Sequence, residues 1–132
     1  MKYLFDTHAF LWSVFNPEKL SSPVRKIFHE TKTSIALSVV TFWEISLKYE
    51  MGKLVLTNCL PDDLVKISDK LSFDLLELAP AQAAGFHQLP RKTHKDPFDR
   101  MIVWQAIQNK CTLVSKDGEL NSYREFGLKT FW

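Results

Sequence analysis

Glycine is scarce in this 132-residue chain, with Gly52, Gly85, Gly118 and Gly127 as the whole complement. Neither a G-x-G-x-x-G nor a G-x-x-x-x-G-K-[ST] can be assembled from them, which excludes the dinucleotide and P-loop phosphate cradles. Cysteine is scarcer still. Cys59 and Cys111 stand far apart with no C-x-x-C, a pattern of reduced, cytosolic thiols. His8, His29, His87 and His94 show no zinc spacing such as H-x-x-x-H. No apolar run nears the roughly 18 residues of a membrane span. The N-terminus reaches Asp6 too early for a secretory leader. These absences lead to the expectation of a cytoplasmic protein with no membrane association. Net charge is small as well: 17 Lys and Arg against 15 Asp and Glu leave +2, which argues against a histone-like blanket of positive charge.

That surplus is not evenly spread. The window 91–100 holds Arg91, Lys92, Lys95 and Arg100 against Asp96 and Asp99. It carries the whole excess, packed around two aspartates. Hydrophobic residues make up 45% and charged residues 24%, enough apolar surface for a packed core and too little charge for disorder. With no repeat, linker or low-complexity stretch, residues 1–132 read as a single domain.

Five short apolar runs read as buried strands: 3–5, 34–38, 73–78, 112–115 and a weaker one at 128–131. Helical segments lie between them, over 7–15, from Ser22-Pro23 to about Glu30, 41–51 (stopped by Gly52), 61–71, 79–89, 97 to about 109, and 118–126. The alternation predicts an α/β/α sandwich around a mainly parallel sheet of four to five strands. Ligands of such sheets gather at the carboxyl ends of the strands.

Acids stand at those ends. Asp6 closes the first strand, Asp117 follows the fourth, and Asp96 and Asp99 straddle the start of a helix. Each singly suits a helix cap or a first-turn acid, and Asp96 with Asp99 resembles a capping box around Pro97. Together, carboxylates on one sheet edge repel one another unless a cation sits between them, and Asp oxygens are the hard ligands that Mg²⁺ and Mn²⁺ prefer. Both readings stand on the residues alone. Glu44 avoids the solvent face of its helix, which Ser46 and Glu50 mark. A partly buried acid needs a partner, either Lys48 four residues on or a metal.

These residues resemble the PIN-domain endoribonucleases, in particular the VapC-type toxins of bacterial and archaeal toxin–antitoxin pairs. The blocks that carry the resemblance are Asp6-Thr7-His8-Ala9-Phe10-Leu11-Trp12, Glu44 within 38–45, His94-Lys95-Asp96-Pro97-Phe98-Asp99-Arg100, and Leu113-Val114-Ser115-Lys116-Asp117. They occur in the family's order and span nearly the whole chain. The resemblance implies a PIN-like three-layer fold and makes Asp6, Glu44, Asp99 and Asp117 the catalytic, metal-binding acids. It leaves Asp96 as a further ligand, a cap, or the holder of a metal-associated water. Ser115 stands where its hydroxyl tightens the site. The implied activity is Mg²⁺- or Mn²⁺-dependent cleavage of RNA (tRNA or rRNA), using one or two ions and leaving a 3′-hydroxyl and a 5′-phosphate. A toxin role that inhibits translation, a VapB-type antitoxin and a homodimer are implied too. Arg91, Lys92, Lys95 and Arg100 are the expected contacts to RNA phosphates, against the plainer reading of a solvated loop. The aromatics suit base stacking, though most are expected in the core, and His8 reads as a polar first-turn residue, with an approach to the site from the first helix as the alternative. The competing class is a catalytically silent RNA- or protein-binding module with its acids as helix caps. A phosphotransferase with an Asp nucleophile would want D-x-D after the first strand, where this chain has Asp6-Thr7-His8.

Overall fold

A computed structural model describes residues 2–92 and 94–132; Met1, and Thr93 of the basic window, lie outside the described residues. Five strands, β1 (Lys2–Phe5), β2 (Ser34–Ser38), β3 (Asp74–Leu76), β4 (Thr112–Val114) and β5 (Lys129–Phe131), form one parallel sheet in the order β3-β2-β1-β4-β5. Registers such as Phe5↔Leu37, Phe5↔Val114 and Leu113↔Thr130 fix it. The helices are α1 (Thr7–Phe15), α2 (Ser22–His29), α3 (Val39–Glu50), α4 (Asp63–Lys70), α5 (Pro80–Gly85) and α6 (Pro97–Gln108).

Side chains of a strand alternate between faces, and here the alternation sorts them into two cores. Leu4, Ala36 and Leu113 enter a cluster with Ile102, Val103 and Ala106 of α6. Their neighbours Phe5, Leu37 and Val114 enter a second cluster with Phe10 of α1, Val24 of α2 and Leu64 of α4. The sheet is thus covered on both sides, as a parallel sheet must be. Rings hold the second layer together: Phe73 lies 5.3 Å from Phe5 and 5.4 Å from Phe10, both edge-on. Such pairs add about 0.5–1.5 kcal/mol each beyond their buried area.

Several boundaries differ from expectation, each for a local reason. α2 is capped by Ser21, whose hydroxyl accepts from Val24 N, so Ser22 is its first residue. α3 starts at Val39, because the Ser38 hydroxyl accepts from Val40 N and turns β2 straight into helix. α4 is shorter than its predicted 61–71, and β3 shorter than 73–78. The segment 79–89 divides into α5 and a 3₁₀ turn, Phe86–Gln88. Gly118–Phe126 is also 3₁₀ rather than α, with Leu120 and Tyr123 as its buried residues. Their spacing of three matches the 3₁₀ period. A 3₁₀ turn at Pro17–Lys19 was not expected.

The strand order matters for function. The chain steps outward from β1 to β2 to β3, then crosses back to place β4 and β5 on the other side of β1. The switch point therefore lies between the ends of β1 and β4, where crevices form in open α/β sheets. Asp6 sits at one lip and Ser115 to Asp117 at the other.

Candidate active site

Asp6 ends β1 and caps α1. Its N–H donates to Val114 O at 3.1 Å, continuing the ladder, and its Oδ1 accepts from Ala9 N at 2.8 Å. The Ser115 hydroxyl bonds the same carboxyl. Asp6 is nonetheless poorly solvated. Burial pushes its pKa up from 3.8 to about 6, against the hydrogen bonds from Ser115 and Ala9 and the His8 charge, with the Asp99 charge adding to the rise. Asp96 caps α6 through Oδ1, accepting from Phe98 N at 2.8 Å and Asp99 N at 3.2 Å. Asp117 caps the last 3₁₀ segment through Oδ1, accepting from Glu119 N at 2.9 Å.

Capping therefore happens at all three positions, and it leaves each aspartate a second oxygen. For Asp96 and Asp117 that oxygen turns inward. Asp117 Oδ2 lies 3.6 Å from His94 Nδ1, and Asp96 Oδ2 lies 3.8 Å from Lys48 Nζ. Asp99 and Glu44 are different, since neither caps a helix. Asp99 Oδ2 meets His94 Nε2 at 2.9 Å. Burial raises the Asp99 pKa, with Asp96 and Glu44 adding to the rise against His94. Glu44 is 1% exposed. Thr7 Oγ1 donates to its Oε1 at 2.6 Å, and Lys48 Nζ closes on its Oε2.

The acids form two groups joined at Asp99. Oxygens of Glu44, Asp96 and Asp99 lie within 4.8 Å of one another, close enough to share one cation. His94, Asp117 and Glu119 form a second set of the same tightness, and the His94 ring links it to Asp99. Asp6 joins Asp99 and Asp117 in lining a cavity of about 330 Å³, together with His8, Trp12 and Lys116. The donor set is all carboxylate around Asp99, with two of its members held above their ordinary pKa by burial and mutual repulsion. Hard divalent cations fit such a set and relieve it.

The basic window departs from expectation. Arg100 is 9% exposed, its guanidinium donates to Leu89 O at 3.1 Å and stacks over Phe86 at 4.6 Å. It braces α6 and presents nothing to RNA. Lys92 pairs with Glu125 at 2.7 Å. Arg91 and Lys95 remain exposed. Sequence reasoning missed His94 and Glu119 as members of the site. The packing of α6 on β4 brings His94 beside Asp117, whereas Glu119 stands there by sequence, two residues on. It also missed Lys116 in the cavity wall; Trp12 lines that wall too, and His8, in the first turn of α1, stands exposed at the cavity.

The PIN domain family profile matches residues 3–125. The chain belongs to the PIN-domain family. Its similarity to VapC-type proteins runs through relatives as well. It is 26% identical to Ribonuclease VapC22 of Mycobacterium tuberculosis, over 98% of this chain and 97% of that protein. In structure it is similar to FitAcB of Neisseria gonorrhoeae, with a TM-score of 0.67, 20% identity, and coverage of 98% of this chain and 96% of that one. VapBC2 of Rickettsia felis, bound to a DNA fragment from its promoter, gives a TM-score of 0.66 at 16% identity, covering 99% of this chain and 98% of that one. The expected fold, an α/β/α sandwich on a parallel sheet, is the one these structures share. No helix among the described residues is long and apolar enough to cross a membrane.

Proposed function

We propose that the chain, taken as one PIN domain over 1–132, is a metal-dependent endoribonuclease and the toxin of a toxin–antitoxin pair. The observation that carries this reading is the convergence of Glu44, Asp96 and Asp99, with Asp6 and Asp117, at the switch point of a PIN sheet. Asp6, Glu44, Asp99 and Asp117 are the residues that would hold Mg²⁺ or Mn²⁺. Asp96 is placed to serve as a further ligand through Oδ2 while it caps α6. A divalent ion held there supplies water activation and charge neutralisation at a phosphodiester.

The remaining work belongs to the chain's own groups. Ser115 holds the Asp6 carboxyl through a hydrogen bond. Thr7 locks Glu44 in one rotamer at 2.6 Å. His94 orients Asp99 through Nε2. Lys48 balances the inner carboxylates and is the cation nearest a phosphate that enters beside them. Similarity to the VapBC2 structure supports a VapB-type antitoxin as partner, and a homodimer belongs to the same proposal. Similarity to a VapC ribonuclease supports RNA as substrate; tRNA or rRNA as that RNA, inhibited translation as outcome and the cytoplasm as location complete the proposal.

The silent binding module keeps one supporting fact, that Asp6, Asp96 and Asp117 do cap helices. Asp99 and Glu44 separate the two readings, because neither has a capping task. Asp99→Asn should cut RNA cleavage by roughly 10³-fold, about 4 kcal/mol in the barrier, and abolish saturable Mn²⁺ binding while the circular dichroism spectrum stays unchanged. Cleavage that survives EDTA, or Mn²⁺ affinity untouched by Asp99→Asn, would reject the metal-dependent mechanism, and no cleavage with Mn²⁺ present would reject the nuclease.

A further inference from the structure

Positive charge free of ion pairs also stands at the acid cavity itself, outside the 91–100 window. Trp12 forms a wall of that cavity together with Lys116. Lys116 Nζ lies 5.8 Å from the indole centroid, and Lys19 Nζ lies 6.0 Å from it. Both lysines are exposed. Among the described residues, no carboxylate lies within ion-pair distance of either one. Trp132 packs edge-on against the same indole at 5.8 Å, holding it from behind. A half-buried indole and the Lys116 ammonium in one cavity with Asp6, Asp99 and Asp117, with Lys19 over the same ring, are matched to a ligand with both a flat π-face and phosphate charge.

We propose that Trp12, Lys19 and Lys116 form the subsite for a nucleotide flanking the scissile phosphate. The base stacks on Trp12 and the adjacent phosphate is bound by the two ammoniums, which swing off the indole on long flexible stems to reach it. Stacking on an aromatic suits an unpaired base, so the ligand class is single-stranded or loop RNA. The groove continues past exposed His8 into a second cavity lined by Thr7, Glu44, Lys48 and Lys53. A strand entering at Trp12 thus crosses the carboxylates and leaves over another lysine. This subsite rests on the nuclease reading for its substrate, but binding can be tested apart from cleavage.

The experiment measures fluorescence anisotropy of a dye-labelled single-stranded RNA of about six nucleotides, on the full chain in EDTA, as a function of salt. Trp12→Leu should weaken binding at least fivefold, the lower end of what one base–aromatic stack contributes. Trp12→Phe, which keeps a ring against Trp132, should recover most of that loss. Lys116→Ala should weaken binding and flatten the salt slope by about 0.7, one phosphate contact on a single strand. Lys19→Ala should act alike, and Lys66→Ala, exposed on α4 away from both cavities, should leave both quantities within twofold of the parent. Affinity and slope unchanged in Trp12→Leu and Lys116→Ala, with thermal melts like the parent's, would overturn the subsite and leave the cavity to a protein ligand. No binding by the parent would overturn it as well. A chain that cleaves no RNA yet loses affinity on Trp12→Leu keeps the subsite and loses the nuclease. A chain that cleaves with an unaltered KM in that variant keeps the nuclease and loses the subsite.

Discussion

The two carboxylate groups that meet at Asp99 are made of similar ligands and balanced by different cations. The inner group, Glu44, Asp96 and Asp99, has the Lys48 ammonium among its oxygens. Burial pulls the Lys48 pKa down, but Glu44, Asp96 and Asp99 together outweigh it and raise it. Lys48 is therefore charged at every working pH. The outer group, Asp117 and Glu119, has His94, which carries charge only when protonated. Depth differs too. Glu44 is 1% exposed, while the Glu119 side chain is 70% exposed. One group keeps a permanent charge balance in low dielectric. The other faces water, which screens it. The same residue types thus make a desolvated site and a screened one a few ångströms apart.

The largest expected effect lies where carboxyls face the shared cavity. Asp6 titrates at about 6 in the folded chain against 3.8 for an ordinary aspartate. Between those values the unfolded chain has released the proton and the folded chain still holds it, so the folded state binds more protons. Its contribution is complete below pH 3.8 and is lost as pH rises through about 6, amounting to about 3 kcal/mol. Urea unfolding in EDTA should show Asp6→Asn gaining stability relative to the parent by up to that amount from pH 3.8 to above 6. A difference that does not vary with pH would place the charge stress elsewhere. Divalent binding needs the ionised form, so Mn²⁺ affinity of the parent should rise across the same interval.

Much of this was legible in the residues. Short continuous apolar runs and caps located the strands to within a few residues, because burial on both faces leaves a strong local signal. Glu44 announced its burial by helical phase, opposite Ser46 and Glu50. The choice between cap and ligand at Asp6, Asp96 and Asp117 had no sequence answer, since a carboxylate has two oxygens and a cap occupies one. What stayed hidden was non-local. Arg100 and Lys95 look alike in a basic run, yet helical phase on α6 buries the former under Phe86. His94 and Glu119 become neighbours only because α6 folds back along β4 and the segment that follows it, which no local pattern encodes.

The next effect tests the inner group. Lys48→Met strips a buried carboxylate of its cation and leaves Glu44 with the Thr7 hydroxyl. Breaking a fully buried pair costs about 3–5 kcal/mol. The Lys48 side chain is 31% exposed, so solvent screening brings the expected loss to about 2 kcal/mol in the metal-free chain. Saturating Mn²⁺ should restore more stability to Lys48→Met than to the parent, because the ion takes over a neutralising task that Lys48 performs in the parent. Equal Mn²⁺ stabilisation of both, followed by thermal melts, would mean that the ammonium and the ion do not share that position.

The smallest effect falls on the outer group and is informative for being small. Glu119→Gln removes an exposed charge 3.7 Å from His94. Stability should change by no more than about 0.5 kcal/mol, since water already screens the pair. Mn²⁺ affinity, measured by calorimetry, should fall by roughly tenfold at most, the scale of a ligand-supporting partner. Asp99→Asn, which touches both groups, should fall much further. If Glu119→Gln matched Asp99→Asn, the outer group would itself be a full ion site, and the asymmetry between a Lys-balanced and a His-balanced group would give way to two equivalent ones.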